Sequence, residues 1–367
     1  MSSVTTVSSA SPTYAQILAN AQKAAQGAST GSGKPGTGAS ASSATTITLS
    51  AEAQAALASL ARDFATVATD ARSHLDQLLG EAKLASPLKD GRLAVDLGKF
   101  DRRELYAIST NAGQKFSAEE QKAAQLELQG RFDAALAGPT AVSRVTGSIR
   151  NLYEAALSYF DAMTPEEKAS SSYTEQRAAL EDMLAQLKTN PATLPSSGTD
   201  PVNAYLQRLA EGETGGLRDI ADIAEDARTT LDSQYKSGGS RADYKDFDSR
   251  SLAAVALNSG DRFSADEVRQ ARSEMRSRSG NALLASLRNT DASNPAQFAE
   301  NVISLYGAMS AEERAAAGWT DSLHAAAVAN YATASKLGAM LGAATGSSLW
   351  GGTSAEQGNP MSVFSYL

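Results

Sequence analysis

The chain has no cysteine and only two histidines, His74 and His324, in 367 residues. The first absence excludes disulfide staples, thiol nucleophiles and iron–sulfur ligation, and the two together exclude Cys/His zinc sites. Basic charge is also in deficit. With 33 Lys and Arg against 41 Asp and Glu the net charge is -8, the wrong sign for a clamp on nucleic acid. No uninterrupted apolar run approaches the ~20 residues of a bilayer span, so no transmembrane segment is expected, and the mean hydropathy of -0.28 is that of a soluble chain. There is no Gly-x-x-x-x-Gly-Lys-Ser/Thr phosphate cradle and no Gly-x-Ser-x-Gly elbow. Catalysis by carboxylates alone is what remains, and no pattern points to it. At 42% hydrophobic, the chain still has enough apolar side chains to bury a core.

Residues 1–50 contain no Asp or Glu, carry only Lys23 and Lys34 as charged side chains, and are dominated by Ser, Thr, Ala and Gly. Such a composition cannot bury enough apolar area to offset the entropy of ordering, and a disordered tail is expected. One short helix interrupts it near Pro12 to Gln26. Ser11 caps it, Pro12 takes its first position, and Tyr14, Ile17, Leu18 and Ala21 fall at i, i+3, i+4 and i+7. Met1-Ser-Ser-Val-Thr-Thr-Val has neither the basic start nor the apolar stretch of a cleavable secretory signal. In composition the segment resembles the leaderless export signals of bacterial type III and flagellar-type secretion substrates, which implies a bacterial chain secreted without cleavage. A cytoplasmic tail has the same composition, and both localisations stay open.

The body is written twice. RDFATVATDARSHLD from Arg62 recurs as RDIADIAEDARTTLD from Arg218. FDRRELYAISTNAGQKFSAEE from Phe100 matches FDSRSLAAVALNSGDRFSADE from Phe247 without a gap, and FDAMTPEEK from Phe160 matches YGAMSAEER from Tyr306. Three blocks in the same order indicate a tandem duplication, with copies at 51–188 and 200–343. The breaker-rich stretch from Lys188 to Gly198 is read as the boundary and Asp200-Pro201 as a new helix start. Leu57, Leu60, Phe64, Val67, Ala71, Leu75 and Leu78 step by three and four, the seam of one long helix. Four matched Ser/Thr-x-x-Glu boxes, at Ser117, Ser264, Thr164 and Ser310, mark further helix starts. Strand character is confined to Thr45–Leu49 and Arg92–Leu97, neither with an obvious partner. The expected fold is all-α, with five or six helices per copy, and a flexible tail at 344–367. That tail ends in an apolar stretch, Met361 to Leu367, which either folds back into a groove or is captured by a partner.

Candidate sites fall on matched positions. Asn-x-Gly-x-x-Phe-Ser-x-(Glu/Asp)-Glu spans Asn111–Glu120 and Asn258–Glu267. It superficially resembles the helix-loop-helix of an EF-hand, which implies calcium held by Asn111, Glu120, Asn258 and Glu267. The resemblance fails where oxygen ligands are required, since Ser109 or Ala256 stands at loop position 1 and a residue without carboxylate at position 5. Helix capping accounts for the same residues. Asp96, Asp101, Asp243 and Asp248 are further metal candidates by clustering of carboxylates, with capping again the alternative for Asp101 and Asp248. Arg62, Arg72, Arg218 and Arg228 repeat along the seam helix and are candidates for a partner-binding face. No cofactor is expected. The combined expectation is a non-enzymatic helical protein that binds another protein, with self-association included. The alternatives are a cytoplasmic or envelope-associated structural protein and a calcium-binding helix-loop-helix module.

Overall fold

The computed structural model describes residues 61–346 apart from 194, 196, 197, 213–217, 289, 291–293 and 295. The expected tail and short helix in 1–50 and the apolar stretch from Met361 lie outside the described residues. The protein is all-α. Its first half comprises α1 (Phe64–Ala82), a hairpin of β1 (Leu88–Lys89) and β2 (Arg92–Leu93), α2 (Arg102–Ser109), α3 (Ala118–Thr146), α4 (Arg150–Asp161), α5 (Pro165–Lys168) and α6 (Ser171–Thr189). After α7 (Pro201–Ala210) come α8 (Ile220–Lys236), α9 (Ser249–Ala256), α10 (Ala265–Arg288), α11 (Gln297–Ala308), α12 (Ala311–Ala317) and α13 (Asp321–Gly346). The order of α1 to α6 is thus repeated by α8 to α13. A short 3-10 turn, Ala112–Gln114 or Ser259–Asp261, stands at the same place in each half. None of the described helices is long and apolar enough to cross a membrane.

Caps define the helices locally. The side chains of Asp101, Ser117, Thr164 and Ser310 each accept the third amide of their helix while a Glu at that position returns to the cap amide. Ser264 and Glu267 do the same for α10. The seam helix is shorter than its periodicity suggests. Asp63 has extended backbone and its Oδ1 accepts Thr66 N–H at 3.0 Å, so α1 begins at Phe64. Its buried stripe is Val67, Ala68, Ala71, Leu75 and Leu79. Arg92 and Leu93 do find a partner. Asp90 and Gly91, both at positive φ, turn the chain so that Leu88 pairs with Leu93 and Lys89 with Arg92, as an Asp-Gly hairpin does. This hairpin is the stretch that the first half has and the second lacks.

Most of the large residues at matched sequence positions are buried. Phe100, Phe247, Leu105, Leu252, Phe116 and Phe263 are all buried, whereas Met163 and Met309 are half-buried at the edge of their clusters. Each fully buried side chain of this kind contributes about 1.5–3 kcal/mol.

Side-chain packing crosses the Lys188–Gly198 stretch. Val202, Tyr205 and Leu206 of α7 belong to the core formed by α3, α4 and α6, so α7 closes the first half instead of opening the second. A buried hydrogen bond from the Tyr153 hydroxyl to Asp200 Oδ2, 2.5 Å long, fixes its start. Conversely, Val142 near the end of α3 belongs to the core of the second half. There α11 crosses α3 with almost no space between the backbones. A methyl on Gly138 would sit 2.9 Å from the carbonyl oxygen of Ser304, and one on Gly307 would overlap the methyl of Ala141. One helix therefore serves both halves.

Candidate functional site

Each candidate side chain from the sequence is engaged inside its own half. Asn111 and Asn258 adopt the left-handed conformation, with φ 54 in both. Their Oδ1 atoms accept Phe116 N–H at 2.8 Å and Phe263 N–H at 2.9 Å. Each loop is thereby closed by its own asparagine side chain, with four residues between the two bonded positions. Glu120 Oε2 accepts Ser117 N–H at 2.7 Å and Arg72 Nη1 at 2.8 Å. In the second half Glu267 takes Ser264 N–H at 2.7 Å and Arg228 Nη1 at 3.0 Å. Arg72 and Arg228 also lie over the rings of Phe116 and Phe263, at 5.3 and 5.6 Å, and pair with Asp76 and Asp232.

Burial works against the ionised forms of Glu120 and Glu267. The arginines and the cap amides outweigh it and hold both carboxyls below the ordinary carboxylate range. A divalent cation at these loops would have to displace a guanidinium. Asp101 and Asp248 cap α2 and α9, Asp96 Oδ1 accepts Gly98 N–H, and Asp243 Oδ1 accepts Lys245 N–H. No three acidic or histidine side chains converge on a common point among the described residues.

A concrete expectation follows for the loops. Replacing Ser117 or Ser264 by Ala should cost about 1 kcal/mol in thermal or urea unfolding, and 1 mM calcium should change neither variant nor parent. A calcium-dependent rise in Tm that Glu120→Gln and Glu267→Gln abolish would make the loops ligand sites after all.

The four seam arginines are likewise used internally. Arg62 Nη1 meets Asp70 at 2.7 Å and Arg218 Nη2 meets Asp226 at 2.6 Å. Their carbonyl oxygens receive Arg103 Nη1 at 2.8 Å and Arg250 Nη2 at 3.0 Å. These contacts lock the start of α1 to α2 and of α8 to α9, so the repeated arginines are explained as struts.

Where the halves differ is more informative for function. In the first, a cleft of about 260 Å³ opens between α3, α4, α6 and α7, lined by Phe132, Tyr159, Met163, Gln176, Arg102 and Arg208 among others. Arg102 Nε spans both oxygens of Glu167 at 2.8 and 3.0 Å and stacks at 4.3 Å on Tyr159, while Arg208 meets Asp133 at 2.6 Å. Its cations are already neutralised. Ser249 and Leu305 stand where Arg102 and Tyr159 do, so this stacked arginine is not repeated at the matched positions.

What the second half has is exposed apolar surface: Leu284 and Leu287 at the end of α10, and Leu323, Leu337 and Met340 on α13. The sequence reading missed these because alanine-rich α13 lacks the strong periodicity that separates a buried face from an outer one. The absence of charge along it was the available signal.

No protein-family model, curated protein or solved structure matches this chain.

Proposed function

We propose that the protein is a non-enzymatic, duplicated helical scaffold that binds another protein through the outer face of α13. The observation that carries this reading is a contrast between matched helices. On α6 the side chains of Glu175, Arg177, Glu181, Asp182 and Lys188 keep the outer face in water, whereas from Ala325 to Ala339 of α13 only Lys336 is charged. Leu337 and Met340 are 50% and 70% exposed. Contiguous apolar surface of this kind on a helix is stabilised by being covered. The partner that fits is the apolar face of a helix, with an acidic side chain at its rim opposite Lys336.

The test is a photo-crosslinking residue in place of Leu337, in cells that make the protein. A discrete adduct with a second protein is expected. Met340→Glu should reduce it about tenfold, equivalent to ~1.4 kcal/mol of binding, and the same probe at Glu175 should give none. Equal labelling from positions 337 and 175, or adducts within the chain alone, would overturn the reading.

A further inference from the structure

The cleft of the first half has a wall of rings. Phe132 meets Tyr159 and Phe160 edge to face, with centroids 5.1 and 6.1 Å apart, and Arg102 lies over the Tyr159 ring at 4.3 Å. Leu128 and Met163 complete the apolar lining. The second half keeps the same order of elements with Ser249, Ser279, Leu305 and Ser322 at the positions of Arg102, Phe132, Tyr159 and Gln176. That order of helices therefore forms without these four side chains.

Unused hydrogen-bonding groups stand at the same place. Arg208 gives Nη2 to Asp133, but its Nε is buried and has no acceptor. Six buried side-chain atoms among the described residues lack a partner, and Arg208 Nε is the one whose residue lines the cleft. The half-buried carboxamide of Gln176, on α6, lines it as well and makes no hydrogen bond to a described residue. A buried N–H without an acceptor is costly, and an oxygen brought to it removes that cost.

Charge and size narrow the occupant. Arg102 is held by Glu167 and Arg208 by Asp133, so a charged ligand would have to break one of these pairs and leave its partner uncompensated. An uncharged ligand leaves both intact. An apolar cavity of about 150 Å³ takes benzene, and the volume here is about 260 Å³. That is room for a ring and an attached amide. The ring extends the edge-to-face set, the carbonyl oxygen serves Arg208 Nε, and the amide N–H serves Gln176. A phenylalanine residue within a peptide carries all three.

We infer that the first-half cleft binds an aromatic residue of a second polypeptide, with its ring against Phe132, Tyr159 and Met163, its carbonyl oxygen on Arg208 Nε and its N–H on Gln176 Oε1. This site is separate from the outer face of α13 and does not depend on the reading of that face.

The probe is N-acetylphenylalaninamide, which has the ring and two peptide groups and no charge. In the full chain labelled with 13C-methyl methionine, the Met163 methyl resonance, assigned through Met163→Leu, should shift and saturate with a Kd on the order of 1 mM, as expected for about fifteen non-hydrogen atoms. N-acetylalaninamide, without the ring, and phenylacetate, with a charge, should leave it in place. Gln176→Ala should weaken binding about fivefold, the loss of one hydrogen bond, and Ala204→Leu, which fills the cleft from α7, should abolish it while the Tm stays near that of the parent. A Met163 resonance that does not move, an equal response to phenylacetate or N-acetylalaninamide, or a Kd unchanged by Gln176→Ala would each overturn the inference.

Discussion

Gly307→Ala should lower the Tm by several degrees, although the same substitution inside a helix ordinarily stabilises. Alanine gains about 1 kcal/mol over glycine in helix propensity. At Gly307 the added methyl would overlap that of Ala141 and lie 3.3 Å from the carbonyl oxygen of Ala137. Both are on α3, whose backbone cannot retreat without disturbing the first-half core. Overpacking of this kind costs about 1–3 kcal/mol or more, which exceeds the propensity gain. Gly130→Ala, also on α3, is the matched control. Nothing lies within 4 Å of its would-be methyl, so it should stabilise by about 0.5–1 kcal/mol. Ala141→Gly introduced together with Gly307→Ala returns the missing space, and the pair should show a coupling of 1 kcal/mol or more, on the order expected for residues in contact. If Gly307→Ala raises the Tm as Gly130→Ala does, α3 and α11 are not in the close crossing described.

Loss of the Arg–Glu cap should be nearly as costly, and it carries a pH signature. Glu120→Ala strips Ser117 N–H of its acceptor and leaves Arg72, a half-buried guanidinium, with the exposed Asp76 as its one carboxylate and a 3.3 Å bond to the Lys115 carbonyl oxygen. Glu267→Ala does the same to Ser264 and Arg228 and also frees the Tyr235 hydroxyl. Breaking a fully buried pair costs ~3–5 kcal/mol. These arginine side chains retain 22% and 21% exposure, so about 2–3 kcal/mol is expected.

Both carboxyls titrate below their ordinary value of 4.5 in the folded protein. The stability they contribute is therefore complete above the unfolded-state pKa and disappears as pH falls below about 4.5 through the folded-state value. Glu300 has the opposite sign. Burial alone pushes its carboxyl above 4.5, so its penalty is present at neutral pH and is relieved on acidification. Urea titrations between pH 7 and pH 3 should show a fall in stability that is shallower in Glu120→Gln and Glu267→Gln. An acid limb unchanged by either substitution would place the pH dependence elsewhere.

The features readable in the sequence are those in which neighbours along the chain satisfy one another. Ser117 with Glu120 and Thr164 with Glu167 announce their helices because cap and partner lie within one turn. The Ser117 and Ser264 blocks likewise stand at the starts of α3 and α10. The long seam was misjudged because periodicity continues through Asp63, while the carboxylate at that position restarts the helix. Asp90-Gly91 was a readable turn signal, but its strands are only two residues each and carry little pattern.

The crossing of α3 and α11 was invisible for a different reason. Gly138, Ser304 and Gly307 are small, lie far apart in sequence and produce no periodicity. Their meaning is the absence of a side chain between two backbones. The same limit hid the first-half cleft, whose lining comes from six helices, α2 to α7, and the residence of α7 in the first core. Arg62, Arg72, Arg218 and Arg228 were conspicuous as a repeated pattern, but only their partners reveal that they brace the interior.

The shared helix also has a consequence in time. During synthesis the first half can assemble once α7 has emerged, yet the second face of α3 must wait for residues 297–308. At ~5 to 20 residues per second this leaves an interval on the order of ten seconds. Throughout it, Gly138, Ala141 and Val142 stand open to whatever the nascent chain meets. Small side chains offer little grip to a wrong neighbour while permitting the closest approach to the right one. The spareness of that face therefore serves the unfinished protein as well as the completed fold.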